Sequence, residues 1–298
     1  MPKHLGQYLN ELVAVSSHVG GTNADLPRMK DVWPGLQRLV NQILKNLQGS
    51  PGYVVLQALP LLTLEQKYHE ALLLRIAETL GIPGRTGGAN SKLIWEVRPR
   101  SDLPTGYVPS ITERDGAADL HTDSQYRSYP EGCVLLFVVR PASSGGETLL
   151  LDADTLLESL TSGVEGRAAY DVLRQARFPF AVPMAFRTES QTPEYVAATI
   201  FSETPVIRYR HDAIIEGFAI DPDLATKDAR WALDTLSEVI RNTAAKTTRE
   251  ALSAGDIILI NNHRLLHGRT DFTDTRRLLL RLRIDIRQPQ GQAEHDGS

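Results

Sequence analysis

The sequence predicts a mainly β protein with helical insertions (α+β), organised as one domain over 1–298. Apolar residues follow the two-residue period of strands from about residue 93 onward, most clearly at 277–287. Helical periodicity instead marks 33–47 and 227–245. No stretch has the composition of a linker between domains. We therefore expect the helices at the start and in the middle of the chain to pack around a single β core.

The first part of the sequence predicts two helices with a short strand between them. Residues 33–47 carry apolar side chains at helical spacing, and this helix ends at the Gly- and Pro-rich stretch that follows. Residues 53–56 read as a strand. Thr63, with Gln66 in capping-box spacing, begins a second helix. A loop is predicted at 83–88, where glycine and proline are frequent.

Strands dominate the remainder, with helices inserted between them. Residues 277–287 alternate most regularly, because aliphatic residues share one face and Arg277, Arg281 and Arg283 share the other. Such arginines require solvent or an anion-lined cavity. The other predicted strands are 93–97, 133–139, 148–151 and 256–260, and the other predicted helices are 153–160, 167–174 and 227–245.

Residues 183–205 differ from their surroundings. This segment is polar, is bounded by prolines and lacks a clear period. Long irregular segments inside a compact domain are often functional. The sequence therefore predicts an active-site lid here, and a tolerated surface insertion is the alternative.

Composition excludes several classes of partner. The formal net charge is -4 and there is no basic block, so neither nucleic acid nor an anionic membrane is expected. Residues 1–15 lack the apolar region of a signal peptide, and no apolar stretch approaches the length of a membrane span. The single cysteine, Cys133, cannot form an internal disulfide, which predicts a cytoplasmic location.

Histidine and aspartate residues carry the strongest chemical signal. His121 and Asp123 are two residues apart, so both can point to one side of a strand or strand end. With a second histidine they form a set that leaves several metal positions open, which suits non-haem Fe(II) binding a co-substrate and dioxygen. His263 and His267 compete for that place. Their spacing of four resembles a helical zinc site, but the segment follows an apolar strand and no glutamate follows His263.

The motifs around these residues resemble the Fe(II)/2-oxoglutarate-dependent oxygenases of the taurine dioxygenase superfamily, in particular the clavaminate synthase-like branch. The matching segments are 120–123, 145–148, 255–256, 262–269 with Phe272, and 276–281. The resemblance implies a double-stranded β-helix (jelly roll) with helical insertions. It also implies that His121, Asp123 and His267 bind Fe(II). Related halogenases have a small residue at the carboxylate position, so Asp123 favours hydroxylation.

The resemblance further implies a site for 2-oxoglutarate. Arg281 follows His267 by 14 residues and would bind the distal carboxylate of this co-substrate through its planar fork. Thr148 follows His121 by 27 residues and would assist through its hydroxyl. Arg277 shares the predicted strand face of Arg281 and is the alternative.

Three residues are candidates for substrate binding. Gln125 and Arg127 follow the metal motif closely, and Asp221 lies where amino-acid oxygenases of this branch can carry substrate-reading carboxylates. A solvated or turn-forming role is the alternative for each. The resemblance implies a small-molecule substrate, an amino acid that is free or bound to a peptide or carrier protein, in specialised metabolism such as antibiotic biosynthesis. Hydroxylation of an unactivated C–H bond is expected, with desaturation or cyclisation as alternatives.

Two functions of other classes use the same residues. A zinc hydrolase could employ the three metal ligands, but it leaves Arg281 and the segment 145–148 without a role. A non-catalytic β-barrel that serves as a binding module predicts a degraded ligand set, whereas the sequence retains all three ligands.

Overall fold

The computed structural model describes residues 36–57, 62, 66–85, 91–103, 107, 109–187 and 193–286. The predicted class, mainly β with helical insertions, is confirmed. The helices are α1 (Leu36–Gln48), α2 (Gln66–Leu80), α3 (Ala153–Leu160), α4 (Val164–Gln175), α5 (His211–Ile220) and α6 (Lys227–Asn242). Short 3-10 helices lie at Met184–Phe186, Pro222–Leu224 and Ala244–Lys246.

The strands form two main antiparallel sheets. They are β1 (Tyr53–Leu56), β2 (Gly81–Gly84), β3 (Trp95–Val97), β4 (Ala118–His121), β5 (Cys133–Arg140), β6 (Thr148–Asp152), β7 (Phe178–Ala181), β8 (Tyr195–Ala198), β9 (Thr248–Glu250), β10 (Ile257–Asn261), β11 (Leu265–Arg269) and β12 (Leu278–Ile286). The larger sheet has the order β1-β10-β5-β12-β2, with β3 also on β12. The smaller sheet has the order β4-β11-β6-β9, and β7 pairs with β8 alone.

The two sheets pack face to face and helices cover their outer faces. Leu150 and Leu265 of the smaller sheet contact Ile258 and Ile260 of the larger one in a buried cluster. A second cluster joins the outer face of the larger sheet to α1 and α2, and a third joins the smaller sheet to α3–α6. Cys133 is fully buried and unpaired in the second cluster. Within the part of the chain that the structure describes, no helix has the length and apolar character needed to cross a membrane.

Strand β12 shows the alternation that the sequence predicts. Leu280, Leu282 and Ile284 belong to the cluster beneath α1 and α2. Arg281 and Arg283 point the other way, between the sheets, and are buried beside Asp123. One strand therefore supplies both an apolar anchor and charged groups for the interior.

Several elements differ from the predictions or were not predicted. Gly81–Gly84 forms β2, part of which was predicted as a loop, because it pairs with the end of β12. Strands β7 and β9 and helix α5 are short or uniformly apolar and gave no clear period. Strand β8 lies inside the segment predicted to be irregular. Predicted features at 33–35, Thr63, 86–88 and 287 lie outside the described residues.

Replacement of Gly217 tests how α5 is held. A Cβ there would lie 2.0 Å from the carbonyl oxygen of Pro179 in β7, so the helix would have to move. Overpacking of this kind typically costs about 1–3 kcal/mol. We expect Gly217→Ala to lower the free energy of unfolding by that amount in denaturant titration. Ile215→Ala, at an exposed position of the same helix, should have a much smaller effect. Equal stability of Gly217→Ala and the wild type would contradict this packing.

Candidate active site

Strand pairing brings the two predicted histidine ligands together. His121 at the end of β4 is the register partner of His267 in β11. Partner residues on antiparallel strands extend from the same face, and the two imidazole rings lie 4.6 Å apart. The donor atoms of His121, Asp123 and His267 all lie within 4.8 Å of one another, and all three residues are buried. The pairing of two strands distant in sequence thus builds the cluster.

The backbone beyond β4 holds Asp123 in position. Its N–H donates to Asn262 Oδ1 at 2.7 Å, and Asn262 Nδ2 donates to the Asp123 carbonyl at 3.0 Å. Ser124 has a φ of 58°, a left-handed conformation that non-glycine residues seldom adopt. Such local strain often occurs at functional sites, and here it turns the chain immediately after the carboxylate.

The two oxygens of the Asp123 carboxylate face different groups. Oδ1 lies 3.8 Å from His121 Nε2 and 4.0 Å from His267 Nε2. Oδ2 is 3.0 Å from Arg281 Nη1 and 3.2 Å from Arg283 Nε. Arg283 also donates to the hydroxyl of Tyr126 at 2.9 Å. Arg281 Nη1 also donates to Oδ1, at 3.3 Å. Both histidines therefore face Oδ1, while Oδ2 has the shorter arginine contacts.

Protonation in this cluster suits a metal cation. Burial lowers the pKa of His121 to about 3 and that of His267 to about 4. Burial alone would raise the pKa of Asp123, but Arg281 and Arg283 hold it well below its usual range. At neutral pH the set therefore consists of two neutral imidazoles and one carboxylate, the forms that ligate metals.

The tautomer of His121 also suits a metal. Its Nδ1 lies 2.7 Å from the carbonyl oxygen of Asp119, so Nδ1 carries the proton and the Nε2 lone pair is free. His263 is placed differently, because its Nε2 lies 2.8 Å from the carbonyl oxygen of Pro130 and it is not part of the cluster. The geometry thus favours His267 over His263, and the three residues fit the Fe(II) ligand set that the resemblance implies.

A cavity of about 580 Å³ borders this cluster. On the cluster side it is lined by Asp123, Gln125, Tyr126, Arg281 and Arg283. The side-chain Nε2 of Gln125 is buried without a hydrogen-bond partner among the described residues, which leaves a donor for a ligand. Of the three predicted substrate residues, Gln125 is the one that lines this cavity.

Arg127 and Asp221 lie elsewhere. Arg127 forms an ion pair with Glu131 at 2.7 Å and donates to the carbonyl of Arg85. Asp221 accepts from the hydroxyl of Tyr195 and from the backbone N–H of Asp223. Neither residue lines the cavity, so a role for them in substrate binding stays a prediction.

The residues of the far wall of the cavity were not predicted from the sequence. This wall carries two ion pairs, Arg187 with Glu216 and Arg210 with Asp212, each with a shortest distance of 2.9 Å. The pairs join the 3-10 helix at Met184–Phe186 and the start of α5 to the site. No motif marks these residues. The one sequence signal was the close spacing of Arg210 and Asp212 before an apolar helix.

The residues predicted for 2-oxoglutarate separate into two places. Thr148 and Arg277 line a second cavity of about 400 Å³. Arg277 Nη1 is buried without a hydrogen-bond partner in the described chain, and its guanidinium lies 4.9 Å from the ring centre of Phe272. Arg281 instead lies against Asp123. The structure therefore places Thr148 with the alternative arginine, Arg277, and not with Arg281.

Comparisons with known proteins agree with this fold and site. Residues 14–283 match the sequence profile of the family described as taurine catabolism dioxygenase TauD, TfdA family. A comparison with curated protein sequences found no significant match. An asparagine oxygenase structure with Fe(II), 2S,3S-3-hydroxyasparagine and succinate is 20% identical, with a TM-score of 0.73 over 95% of this chain and 92% of that chain. The non-haem iron oxygenase OrfP with Fe and alpha-ketoglutaric acid is 19% identical, with a TM-score of 0.66 over 95% and 92%.

The family match covers most of the chain, so this protein belongs to the TauD/TfdA dioxygenase family. The predicted jelly-roll fold is confirmed by the similarity to these solved structures. The protein is accordingly a 2-oxoglutarate-dependent dioxygenase, as the sequence resemblance implied.

Histidine replacements test the ligand assignment. We expect His121→Ala or His267→Ala to reduce Co(II) affinity at least tenfold in a calorimetric titration, because each removes one of three ligands. His263→Ala should retain wild-type affinity, since its ring is outside the cluster. Circular dichroism would verify that each variant is folded. Loss of metal binding in His263→Ala, with retention in His267→Ala, would show that His263 is the ligand.

Proposed function

We propose that this protein hydroxylates an unactivated C–H bond of a small polar substrate, an amino acid, with Fe(II) and 2-oxoglutarate. The observation that carries the proposal is the cluster of His121, Asp123 and His267, in which Oδ1 of Asp123 faces both histidines beside a substrate-sized cavity. Similar folds are recorded with 3-hydroxyasparagine in asparagine oxygenase and with (3S)-hydroxy-L-Arg in OrfP. These products support an amino-acid substrate.

The metal would supply the reaction with dioxygen, and the side chains would position the metal. Bound Fe(II) would supply the reaction of dioxygen with 2-oxoglutarate, which yields succinate and carbon dioxide and transfers one oxygen atom to the substrate. Arg283 binds Oδ2 of Asp123, and Arg281 lies closer to Oδ2 (3.0 Å) than to Oδ1 (3.3 Å), so Oδ1 is the oxygen that would bind the metal. A single-oxygen ligand leaves more metal positions for the co-substrate and dioxygen than a bidentate one.

Thr148 and Arg277 are proposed to bind the distal carboxylate of 2-oxoglutarate. Thr148 lies two residues along β6 from Leu150, the register partner of His267, so it is close to the metal cluster. A carboxylate would satisfy the orphaned Nη1 of Arg277, and the bidentate fork suits that geometry. The proposal thus assigns the distal carboxylate to Arg277, the alternative given by the sequence, instead of Arg281.

Arg281 is then available for the substrate. Its bonds to other described residues all use Nη1, which leaves Nε and Nη2 to bind a substrate carboxylate. Gln125 would donate to a second acceptor. The proposal includes both a free amino acid and one bound to a peptide or carrier protein, in antibiotic or other specialised biosynthesis. It also includes a cytoplasmic location, which the single buried and free cysteine supports.

Two measurements test this function. Under anaerobic conditions, addition of Fe(II) and 2-oxoglutarate together should produce a visible charge-transfer absorption that neither produces alone. In air, a screen over free and carrier-bound amino acids should show substrate-dependent succinate release and a product 16 mass units heavier. Absence of the absorption would reject the co-substrate site, and a product lighter by two mass units would show desaturation or ring closure instead.

Lysine replacements distinguish the two arginines. Arg277→Lys keeps the charge but loses the fork, and the loss of a charged hydrogen bond should weaken 2-oxoglutarate binding by about 1.5–3 kcal/mol. Arg281→Lys should instead raise the KM for the substrate and leave the KM for 2-oxoglutarate nearly unchanged. Steady-state kinetics with each compound varied in turn provides the measurement. The reverse pattern would restore Arg281 as the 2-oxoglutarate residue.

Residues 183–205 are proposed to act as the active-site lid. Pro183, Met184, Phe186 and Arg187 line the larger cavity, which supports a role in closing it. Closure would exclude water from the reacting centre. Hydrogen exchange of this segment should slow when substrate joins the anaerobic iron and 2-oxoglutarate complex. Strong protection that is equal with and without substrate would identify a rigid insertion.

A further inference from the structure

The larger cavity has more positive than negative groups in its lining. The positive and negative charges cancel within each of the two ion pairs on the far wall, Arg187–Glu216 and Arg210–Asp212. Among the described residues, the remaining charged groups of the lining are three arginines and one carboxylate, namely the exposed Arg114, the buried Arg281 and Arg283, and Asp123. Before any ligand binds, this set therefore has a surplus of two positive charges.

Iron and 2-oxoglutarate do not remove that surplus. The two positive charges of Fe(II) are matched by the two negative charges of 2-oxoglutarate, whichever arginine binds its distal end. Arg281 and Arg283 are only 7% and 5% exposed, so water screens them poorly. Buried charges require a compensating partner. Among the described residues, Asp123 forms ion pairs with both arginines, and Glu131 acts on Arg283 without forming an ion pair with it.

The hydrogen-bonding groups of the cavity also favour an anionic ligand. Arg281 donates only through Nη1 to the described residues, and Gln125 Nε2 has no partner among them. The three carboxylates of the lining are each engaged by at least one arginine. The described lining thus offers free donors for an anionic group and no free carboxylate for a cationic one.

From this charge balance, and building on the proposed function, we propose that the substrate is an acidic amino acid. One acid group would bind Arg281, and the second would be stabilised by the surplus charge that includes Arg283. With its α-ammonium group counted, an acidic amino acid is still a net anion and reduces the surplus, whereas a neutral amino acid leaves it unchanged. A basic side chain, as in the (3S)-hydroxy-L-Arg bound to OrfP, would add to the uncompensated positive charge in this cavity.

A comparison of each acidic amino acid with its amide separates the effect of charge on binding from the effect of shape. Calorimetric titration of the anaerobic, Fe(II)- and 2-oxoglutarate-loaded protein would measure Kd for aspartate, asparagine, glutamate, glutamine, arginine and lysine. We expect at least one acid to bind ten or more times tighter than its own amide, and both basic amino acids to bind more weakly than that acid. An amide that binds as tightly as its acid, or failure of both acids to bind, overturns the proposal.

Turnover of the same amino acids, measured in parallel, separates this test from the test of the proposed function. Succinate release with an amide or a basic amino acid, but not with an acid, would preserve the hydroxylase function and reject the acidic substrate. Tight binding of an acid without oxidation would support the charge preference and count against hydroxylation of that amino acid. The two conclusions therefore depend on different readouts.

Variants of Arg283 test the source of the preference. Arg283→Gln removes one charge of the surplus and should reduce the acid-to-amide ratio of Kd values at least threefold. Arg283→Lys should keep most of that ratio, and Arg276→Gln, an exposed arginine outside the cavity lining, should keep all of it. Metal loading and circular dichroism would accompany each variant. An unchanged ratio in Arg283→Gln would overturn the charge argument, and if that variant did not fold the wild-type ratio would decide.

Discussion

The buried ion pairs of Asp123 with Arg281 and Arg283 are the interaction on which this site depends. A carboxylate that is 1% exposed would favour its protonated form without nearby cations. The two arginines keep it ionised, and their shorter contacts are to Oδ2, while Oδ1 faces the histidines. In return Asp123 compensates part of their charge inside the sandwich. Removal of Asp123 would leave two buried arginines without their carboxylate, which is strongly destabilising.

The architecture makes this charged interior possible. β12 buries aliphatic residues under α1 and α2 on one face, so the strand is anchored independently of its arginines. The smaller sheet supplies the histidines through the pairing of β4 with β11. Asn262 then joins the backbone at Asp123 to that at Glu131, with hydrogen bonds of 3.0 and 2.8 Å. The ligands are thus held by rigid strands, as a metal site that must keep open positions requires.

Aromatic packing connects the same arginines to the cavity wall. Tyr126 stacks on Phe186 with ring centres 5.4 Å apart, and Trp95 meets Phe186 edge to face at 5.3 Å. The guanidinium of Arg283 lies 5.6 Å from the centre of the Phe186 ring, within the range of a cation–π contact. Phe186 belongs to the start of the segment 183–205. A conformational change in that segment would therefore act on Arg283, which binds the carboxylate of Asp123.

Local patterns in the sequence determined the class of fold and the chemistry of the metal site. Alternation in β12, the aliphatic run of β10 and the amphipathic α6 depend on side chains next to one another in sequence, so their period reveals them. The identities and spacing of His121, Asp123 and His267 likewise indicated their ligand set. Tertiary structure decided what depends on distant contacts. Pairing gave Gly81–Gly84 its strand character. The three-dimensional fold placed Arg277 and Thr148 in the lining of one cavity and Arg281 against Asp123. It also brought Arg187 and Arg210 to one wall, because the distance between residues far apart in sequence leaves no periodic trace in the chain.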